Sequence, residues 1–146
     1  MRHRQAIAVL SLVGFFVALY LWLYKIGAIG VLQCGAGGCE TVQTSRYAEL
    51  FGVPVAFYGV AGYALLLGLS VAGLQPKLLG ARGVTAALLV LSTGGFLFSA
   101  YLTYLELFVI HAICRWCVAS AAVMTVIWVV AVHAALLSGR TAGRSD

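Results

Sequence analysis

Four cysteines, arranged in two pairs, are the residues of this sequence best suited to chemistry. Cys114 and Cys117 form a C-x-x-C motif at the start of a predicted helix, and Cys34 and Cys39 enclose four small residues. Residues three apart share a helical face, so the sulfurs of Cys114 and Cys117 can bond to each other. A thiolate of one pair can attack the disulfide of the other pair through a mixed disulfide. The two pairs therefore predict thiol–disulfide exchange.

The surroundings of each pair favour this chemistry. A helix N-terminus carries unpaired N–H groups and positive partial charge, which stabilise a thiolate, and Arg115 adds a nearby cation. The segment between Cys34 and Cys39 contains three glycines. Because glycine accepts positive φ, the chain can reverse there and bring the two Cα atoms within the range of about 4.4–6.8 Å that a disulfide needs. We expect this loop to be mobile enough to meet both an external partner and the C-x-x-C motif.

Two structural interpretations of the cysteines compete with the redox one. Both pairs could be static disulfides, although so apolar a chain has less need of cross-links than a small secreted domain. Alternatively, His111, Cys114 and Cys117 have the spacing of zinc ligands, and a loop cysteine could complete the site. An oxidising exterior disfavours a cage of thiolates. The favoured prediction is therefore a redox site without a metal.

The rest of the chain is built to hold these cysteines in a membrane. Its 146 residues are 63% hydrophobic and 9% charged, whereas soluble domains are about half apolar and a quarter charged. Four apolar segments reach the roughly 17–25 residues that cross a bilayer, and none alternates like a strand. These segments are Ala6–Tyr24, Pro54–Leu74, Gly83–Phe108 and Ile113–Leu137. Lipid favours helices because backbone polar groups must pair internally. The prediction is an all-α membrane protein, a four-transmembrane-helix bundle forming one domain over residues 1–146.

Aromatic and basic residues predict how the bundle sits in the membrane. The first segment is longer than a signal-peptide core of about 7–15 residues and ends in interfacial aromatics, so it is predicted to be a retained anchor. The side with both termini carries six Lys or Arg, and the opposite side carries three: Arg2, Arg4, Lys77, Arg82, Arg140 and Arg144 against Lys25, Arg46 and Arg115. By the positive-inside rule, both termini are cytoplasmic in the inner (plasma) membrane, and all four cysteines are extracytoplasmic.

The long connection Lys25–Val53 and the small residues of the spans add further expectations. Connections are usually about 4–6 residues, and longer ones are commonly functional. Residues 41–51 are predicted to form one or two amphipathic helical turns, followed by Pro54 in the first turn of the second span. Glycines such as Gly59, Gly62 and Gly95 predict close helix packing, with room for a flat ligand as the alternative. Glu106 is predicted to be a solvated interfacial carboxylate, with proton delivery as the alternative.

Taken in order, several motifs resemble the vitamin K epoxide reductase family in its bacterial form. They are Cys34…Cys39, the stretch Ser45–Gly59, Tyr101…Tyr104-Leu-Glu106 and Cys114-Arg-Trp-Cys117. The resemblance covers roughly Ala6–Leu137. It implies a four-helix bundle that encloses a quinone (ubiquinone or a menaquinone/vitamin K type) next to the C-x-x-C motif. It also implies disulfide bond formation, through reoxidation of a periplasmic thioredoxin-like enzyme of the DsbA type.

The resemblance also implies roles for single residues. Cys34 would meet the partner, Cys39 would attack Cys114, and Cys117 would reduce the quinone. Ser45 matches a loop serine or threonine beside the active site, with a helix-capping serine as an equal alternative. Tyr58 and Tyr101 are further candidates for lining the quinone site together with Cys117 and Ser45.

Two departures from the family and two rival functions qualify the resemblance. Many bacterial members carry a fused thioredoxin-like domain, but this chain stops at Asp146, so its partner is expected to be a separate protein. Ala121 replaces a tyrosine of the vertebrate enzymes, which favours plain quinone reduction over epoxide reduction. The rivals are a DsbB-type quinone-dependent thiol oxidase and a four-helix transporter with structural disulfides. A transporter should have a charged residue at mid-membrane, and none is evident.

Overall fold

Four long helices dominate the protein. The computed structural model describes residues 1–35 and 38–142; part of the glycine-rich loop and the charged residues Arg144 and Asp146 lie outside this range. The long helices are α1 (Arg2–Lys25), α3 (Val55–Ala72), α4 (Arg82–Leu105) and α5 (Arg115–Ala142). α4 continues into a π-helical segment, Glu106–Ile110. The helices are long and apolar enough to cross a membrane. The predicted all-α membrane bundle is confirmed.

The helix boundaries differ from the predicted ones in informative ways. Pro54 does not enter the first turn of α3; it precedes the helix with ψ 132° and forms the last residue of a short strand. α3 ends at Ala72, and residues 74–80 make turns, so the second span is shorter than predicted. α5 begins at Arg115, which places Cys114 immediately before the helix rather than inside it.

A tyrosine on α3 joins three of the long helices in the centre of the bundle. Tyr63 is 1% exposed, and its hydroxyl donates to the backbone oxygen of Ser120 on α5 at 2.7 Å. Its ring occupies the space in which a side chain on Gly14 of α1 would lie. Around it, side chains from all four helices form the core: Ile7, Ala18, Leu66, Leu88, Met124, Ile127 and Ala131. Gly14 was not among the glycines from which close packing was predicted. Of those, Gly59 lies close to Ala18 and Gly95 lies close to Met124, whereas a side-chain carbon at Gly62 would meet no atom within 4 Å.

Arg4 holds together the end of the bundle that contains the N-terminus. Its side chain is 9% exposed, and its guanidinium donates to the backbone oxygens of Gly73, Leu78 (2.8 Å) and Ala81 (3.3 Å). These oxygens belong to the end of α3 and the connection that follows it, and a helix C-terminus leaves such carbonyls unpaired. The N-terminus and the α3–α4 connection therefore share one end of the bundle.

The long connection between α1 and α3 folds over the opposite end. It contains the short helix α2 (Cys39–Thr44), a 3-10 turn (Arg46–Ala48) and a hairpin of β1 (Glu49–Leu50) with β2 (Val53–Pro54). Leu50 pairs with Val53 in antiparallel register.

The helical turns predicted within residues 41–51 are confirmed as far as Ala48 and wrong beyond it. Phe51 and Gly52 both have positive φ, at 54° and 76°. Such a pair forms a tight two-residue hairpin turn that no helix can contain. Phe51 is 92% exposed at the tip, so it does not share an apolar helical face with Tyr47 and Leu50.

Candidate active site

All four cysteines lie together at the end of the bundle covered by the long connection. Cys34, Cys39 and Cys114 belong to one buried cluster with Leu21, Leu32 and Val42, and Cys117 packs against that cluster. Residues far apart in the sequence are thus brought into one apolar shell. This proximity is the geometric condition that exchange between the two pairs requires.

The loop pair forms a disulfide that is shielded from its surroundings. Cys34 and Cys39 are bonded, with Cα atoms 6.2 Å apart. Cys39 is the first residue of α2 and is fully buried, and Cys34 is only 6% exposed. Both cysteines are therefore shielded from the surface in this arrangement.

The C-x-x-C pair consists of two free thiols at the N-terminus of α5. The backbone N–H of Cys117 donates to the sulfur of Cys114 at 3.3 Å, in the manner of a helix N-terminal cap. The Cys117 thiol, and to a lesser degree this N–H, lowers the pKa of the Cys114 thiol, although burial opposes the shift. The predicted effect of the helix N-terminus is therefore present at Cys114.

Arg115, predicted to add a cation near the C-x-x-C thiols, contacts the cysteine loop. Its guanidinium lies against the backbone of Gly35, where an added side-chain carbon would sit 3.3 Å from a guanidinium nitrogen. The residue thus joins the N-terminus of α5 to the cysteine loop. Hydrogen bonding within the C-x-x-C motif accounts for the lowered pKa of Cys114.

A backbone hydrogen bond fastens the loop directly to the chain before Cys114. The N–H of Gly38 donates to the backbone oxygen of Ile113 at 3.1 Å. A side chain at Gly38 would meet the Cβ of Ala112 at 2.7 Å, so only glycine permits the approach. Because Gly38 and Ile113 each precede a cysteine, this bond places Cys39 near Cys114.

Trp116, inside the C-x-x-C motif, makes a second connection to the loop. Its indole N–H donates to the backbone oxygen of Gln33 at 3.1 Å, and its ring lies 5.1 Å from that of Tyr20. The Tyr20 hydroxyl in turn accepts the N–H of Gln33 at 3.0 Å. We call this set, Tyr20, Gln33 and Trp116, the indole clasp. It holds the residue before Cys34 against the helix that carries Cys117.

A cavity of about 140 Å³ adjoins Cys117. Its walls come from all four long helices and from the long connection, and they are predominantly apolar. Polar groups beside Cys117 are few: Gln43 donates its amide to the Cys117 sulfur at 3.7 Å, and Glu106 also lines the cavity. Such a site suits a flat apolar molecule with a small number of hydrogen-bonding groups.

The cavity brings together three of the four residues predicted to contact a bound ring. Cys117, Ser45 and Tyr58 line it, whereas Tyr101 is 50% exposed and is not among the lining residues. Ser45 is the C-terminal cap residue of α2 and precedes the 3-10 turn, and its hydroxyl donates to the backbone oxygen of Val42 at 2.7 Å without making an N-terminal side-chain cap. The Tyr58 hydroxyl donates to the backbone oxygen of Leu50 at 3.1 Å, which fixes the hairpin beside the cavity.

Glu106 is buried, which corrects the expectation of a solvated carboxylate. Its side chain is 4% exposed, and its Oε2 accepts the backbone N–H of Cys114 at 3.0 Å. The reason is the π-helical segment that starts at Glu106 and ends at His111, whose φ of 55° turns the chain back. This reversal brings the start of α5 over the carboxylate.

Sequence reasoning assigned no role to Gln43. The residue is 7% exposed, contacts Cys117 and is held by Lys25, whose ammonium donates to the Gln43 backbone oxygen at 2.8 Å. Lys25 also pairs with Glu49 at 3.4 Å. No sequence pattern indicates that a loop glutamine such as Gln43 contacts a cysteine. Glu106 could have been identified, because it is an acidic residue at the end of an apolar span, shortly before Cys114.

The zinc interpretation finds no support in the geometry. Across residues 1–35 and 38–142, no three His, Cys, Asp or Glu side chains are grouped so that they could hold a metal ion. Instead, a disulfide lies next to a dithiol, and the dithiol lies next to an apolar cavity. Chemically, such a series can move electron pairs between sulfurs and then to a molecule in the cavity.

The chain was compared with models of known protein families. The model of the Vitamin K epoxide reductase family matches residues 5–132, which is well over half of the chain. The matched range includes both cysteine pairs and the residues that line the cavity.

Proposed function

Because the chain belongs to the vitamin K epoxide reductase family, we propose that it transfers electrons from a thiol partner through its two cysteine pairs to a quinone. Family membership implies the broader activity, a membrane thiol–disulfide oxidoreductase. The observation that carries the finer proposal is the position of Cys117. It belongs to the C-x-x-C motif, packs against the cluster that holds the loop disulfide, and lines the apolar cavity.

The first part of the proposed relay oxidises the partner. A partner thiolate attacks Cys34, the Cys34–Cys39 bond breaks, and Cys39 leaves as a thiolate. The second partner thiol then attacks the partner's own sulfur, which releases Cys34 and leaves the partner with a disulfide. Two electrons have entered the loop pair, and the partner has lost them.

The second part moves the electron pair inward. Cys39 attacks Cys114 of an oxidised C-x-x-C motif, and Cys117 leaves as a thiolate. Cys34 then attacks Cys39, so the loop disulfide forms again and Cys114 leaves. A thiol of lower pKa is the better leaving group, and hydrogen bonding from Cys117 lowers the pKa of Cys114. The structure, with a loop disulfide and two free thiols in the motif, has the bonding that this step would produce.

The cavity supports a quinone as the final acceptor. When bound, a quinone supplies an acceptor for two electrons and two protons. Cys117 and Cys114 provide the electron pair as they close their disulfide. Gln43 offers an amide that can donate to a carbonyl oxygen, and the apolar walls exclude water from the ring. Ser45 and Tyr58 shape the wall nearest the loop.

The proposed partner is a separate periplasmic thioredoxin-like thiol oxidase of the DsbA type. Such a partner requires the cysteines to face the extracytoplasmic side of the inner membrane, with both termini in the cytoplasm, as the distribution of Lys and Arg favours. The disulfide of a DsbA-type protein has a reduction potential of about −120 mV, so reoxidation of its dithiol needs a strong oxidant such as a quinone.

Trapping in cells tests the partner and the role of Cys34. In a variant that keeps only Cys34, the Cys34 thiolate attacks the partner's disulfide, and no second cysteine of this chain can displace the mixed disulfide that forms. Acid quenching and alkylation of the cells block the partner's second thiol, which would otherwise release Cys34. We expect a reductant-sensitive adduct containing a thioredoxin-like protein, identified by mass spectrometry. The matched control keeps only Cys117, which lies beside the cavity, and should capture no such protein. Equal capture by both variants would contradict the assignment of Cys34.

A filled cavity tests the quinone site. Gly62 lines the cavity, and a side-chain carbon there would meet no atom within 4 Å, so Gly62→Leu can fill the space without a backbone clash. We expect the KM for a short-chain ubiquinone to rise about 10-fold, the scale of one or two lost apolar contacts. Dithiothreitol as electron donor and quinol absorbance as readout make this measurement independent of the partner.

The control for this variant is Gly68→Leu on the same helix. A side chain at Gly68 also meets no atom within 4 Å, but Gly68 is not among the residues that line the cavity. Its KM should equal that of the unmodified protein. If both variants raised the KM equally, the cavity would not be the quinone site.

A further inference from the structure

Glu106 is a buried carboxyl group that the relay described above does not use. It is 4% exposed and lies where the π-helical segment after α4 meets the start of α5. Its Oε2 accepts the backbone N–H of Cys114, which leaves the remainder of the carboxyl group available. The carboxyl also lies close enough to the Cys117 thiol for the two groups to interact. It thus lies beside the backbone of Cys114 and lines the cavity together with Cys117.

The cavity gives this carboxylate no cation. The described residues that line it include no Lys, Arg or His. Lys25, at the start of the long connection, is engaged by Glu49 and by the backbone oxygen of Gln43. A buried carboxylate without a counter-ion is costly, and a carboxyl group that can take up a proton avoids this cost.

We propose that Glu106 carries protons from the C-x-x-C thiols to the acceptor in the cavity. The inference rests on the proposed function, since quinone reduction consumes two protons. Closing the Cys114–Cys117 bond releases two electrons and two protons. The Glu106 carboxylate takes a proton from a thiol, and the resulting acid donates it to an acceptor oxygen, which restores the carboxylate. Two such transfers match the two protons released by the thiols to the two taken up by the quinone.

The Glu106→Gln variant separates proton transfer from positioning. Glutamine has nearly the same shape, and its amide oxygen can still accept the Cys114 N–H, but it cannot carry a proton. With dithiothreitol as donor and a short-chain ubiquinone as acceptor, we expect kcat for quinol formation to fall about 100-fold, the lower range for loss of a general acid–base group. The KM for the quinone should change less than about 2-fold, because binding is not what the carboxyl provides.

Two further variants complete the experiment. Glu106→Asp keeps a carboxyl group on a shorter side chain and should recover part of kcat, which a purely structural role would not predict. Glu40→Gln makes the same chemical change at an exposed carboxylate of α2, and kcat should remain unchanged. Reduction of the four cysteines by dithiothreitol, measured separately by thiol alkylation, should be the same in all three variants.

The outcomes distinguish this inference from the function on which it rests. If the unmodified protein forms no quinol from dithiothreitol and ubiquinone, the proposed function itself fails. If the unmodified protein is active and Glu106→Gln retains its kcat, Glu106 is not the proton carrier. A Glu106→Gln variant whose KM rises while kcat holds would assign the carboxyl to quinone binding and would also overturn the inference.

Discussion

Replacing Cys117 with alanine should abolish quinol formation, lowering its rate by more than about 1,000-fold, as expected when a covalent group that acts in concert with others is lost. Cys117 is the one cysteine of the four that lines the cavity. Without its sulfur, Cys114 cannot close the C-x-x-C disulfide, so the electron pair has no route to the acceptor. The assay follows quinol absorbance with dithiothreitol as donor.

The same variant should also accumulate a specific cross-link. The Cys114 thiolate can still attack Cys39, which releases the Cys34 thiolate, and Cys34 is then the thiol that can resolve the Cys39–Cys114 bond. Alkylation of the released Cys34 should therefore trap this bond. Peptide mapping without reductant should find this bond between the loop and the N-terminus of α5. Thr125→Ala, a change at an exposed position of the same helix, should retain full activity. Quinol formation by Cys117→Ala at more than a few per cent of the normal rate would refute the assigned role.

Gly14→Leu should lower the free energy of unfolding by about 3 kcal/mol, the upper end of the usual cost of overpacking. The added side chain would overlap the ring of Tyr63. That ring cannot move aside freely, because its hydroxyl donates to the Ser120 backbone oxygen and also contacts the Ser120 hydroxyl at 3.0 Å. Either α1 separates from α3, or Tyr63 loses its hydrogen bonds to α5. Unfolding of the detergent-solubilised protein in increasing denaturant measures the change.

Gly68→Leu is the matched control for this stability measurement, since it places the same side chain in open space on α3. Its unfolding free energy should lie within about 0.5 kcal/mol of that of the unmodified protein. A double variant that combines Gly14→Leu with Tyr63→Ala should lose less than the sum of the two single changes, because Tyr63→Ala removes the ring that the introduced leucine would strike. Additive losses would show that Tyr63 is not the source of the cost.

The sequence allowed the bundle and the cysteine pairs to be predicted because both depend on local patterns. Long apolar runs form membrane-spanning helices in lipid. One such run predicts α5, and Cys114 lies directly before that helix. The contact between the pairs was expected only as a requirement of the proposed chemistry. Its physical basis, the close approach of Gly38 to Ala112 and Ile113, depends on residues distant in sequence.

The burial of Glu106 and the hairpin of the long connection were not predicted, because both depend on irregular backbone geometry. The π-helical segment and the positive φ of His111 bury Glu106, and no periodicity of apolar residues reports such an insertion. The hairpin at Phe51 and Gly52 was obscured because its neighbours, Tyr47 and Leu50, had spacing compatible with a helix. Tyr101 was predicted to line the quinone site but is half exposed. Neighbouring residues of a helix point in different directions, so a motif does not by itself tell which of its residues faces the cavity.

Cys34 and Cys39 are buried, and the indole clasp holds the residue before Cys34 against α5; this has a kinetic consequence. If a partner must wait for the loop to detach before it can meet Cys34, the observed rate of the first exchange cannot rise indefinitely with partner concentration. It should instead level off at the frequency with which the loop opens, as for any reaction that passes through a local opening. Weakening the contact between Trp116 and Tyr20 would raise that plateau while leaving the chemistry of the sulfurs unchanged.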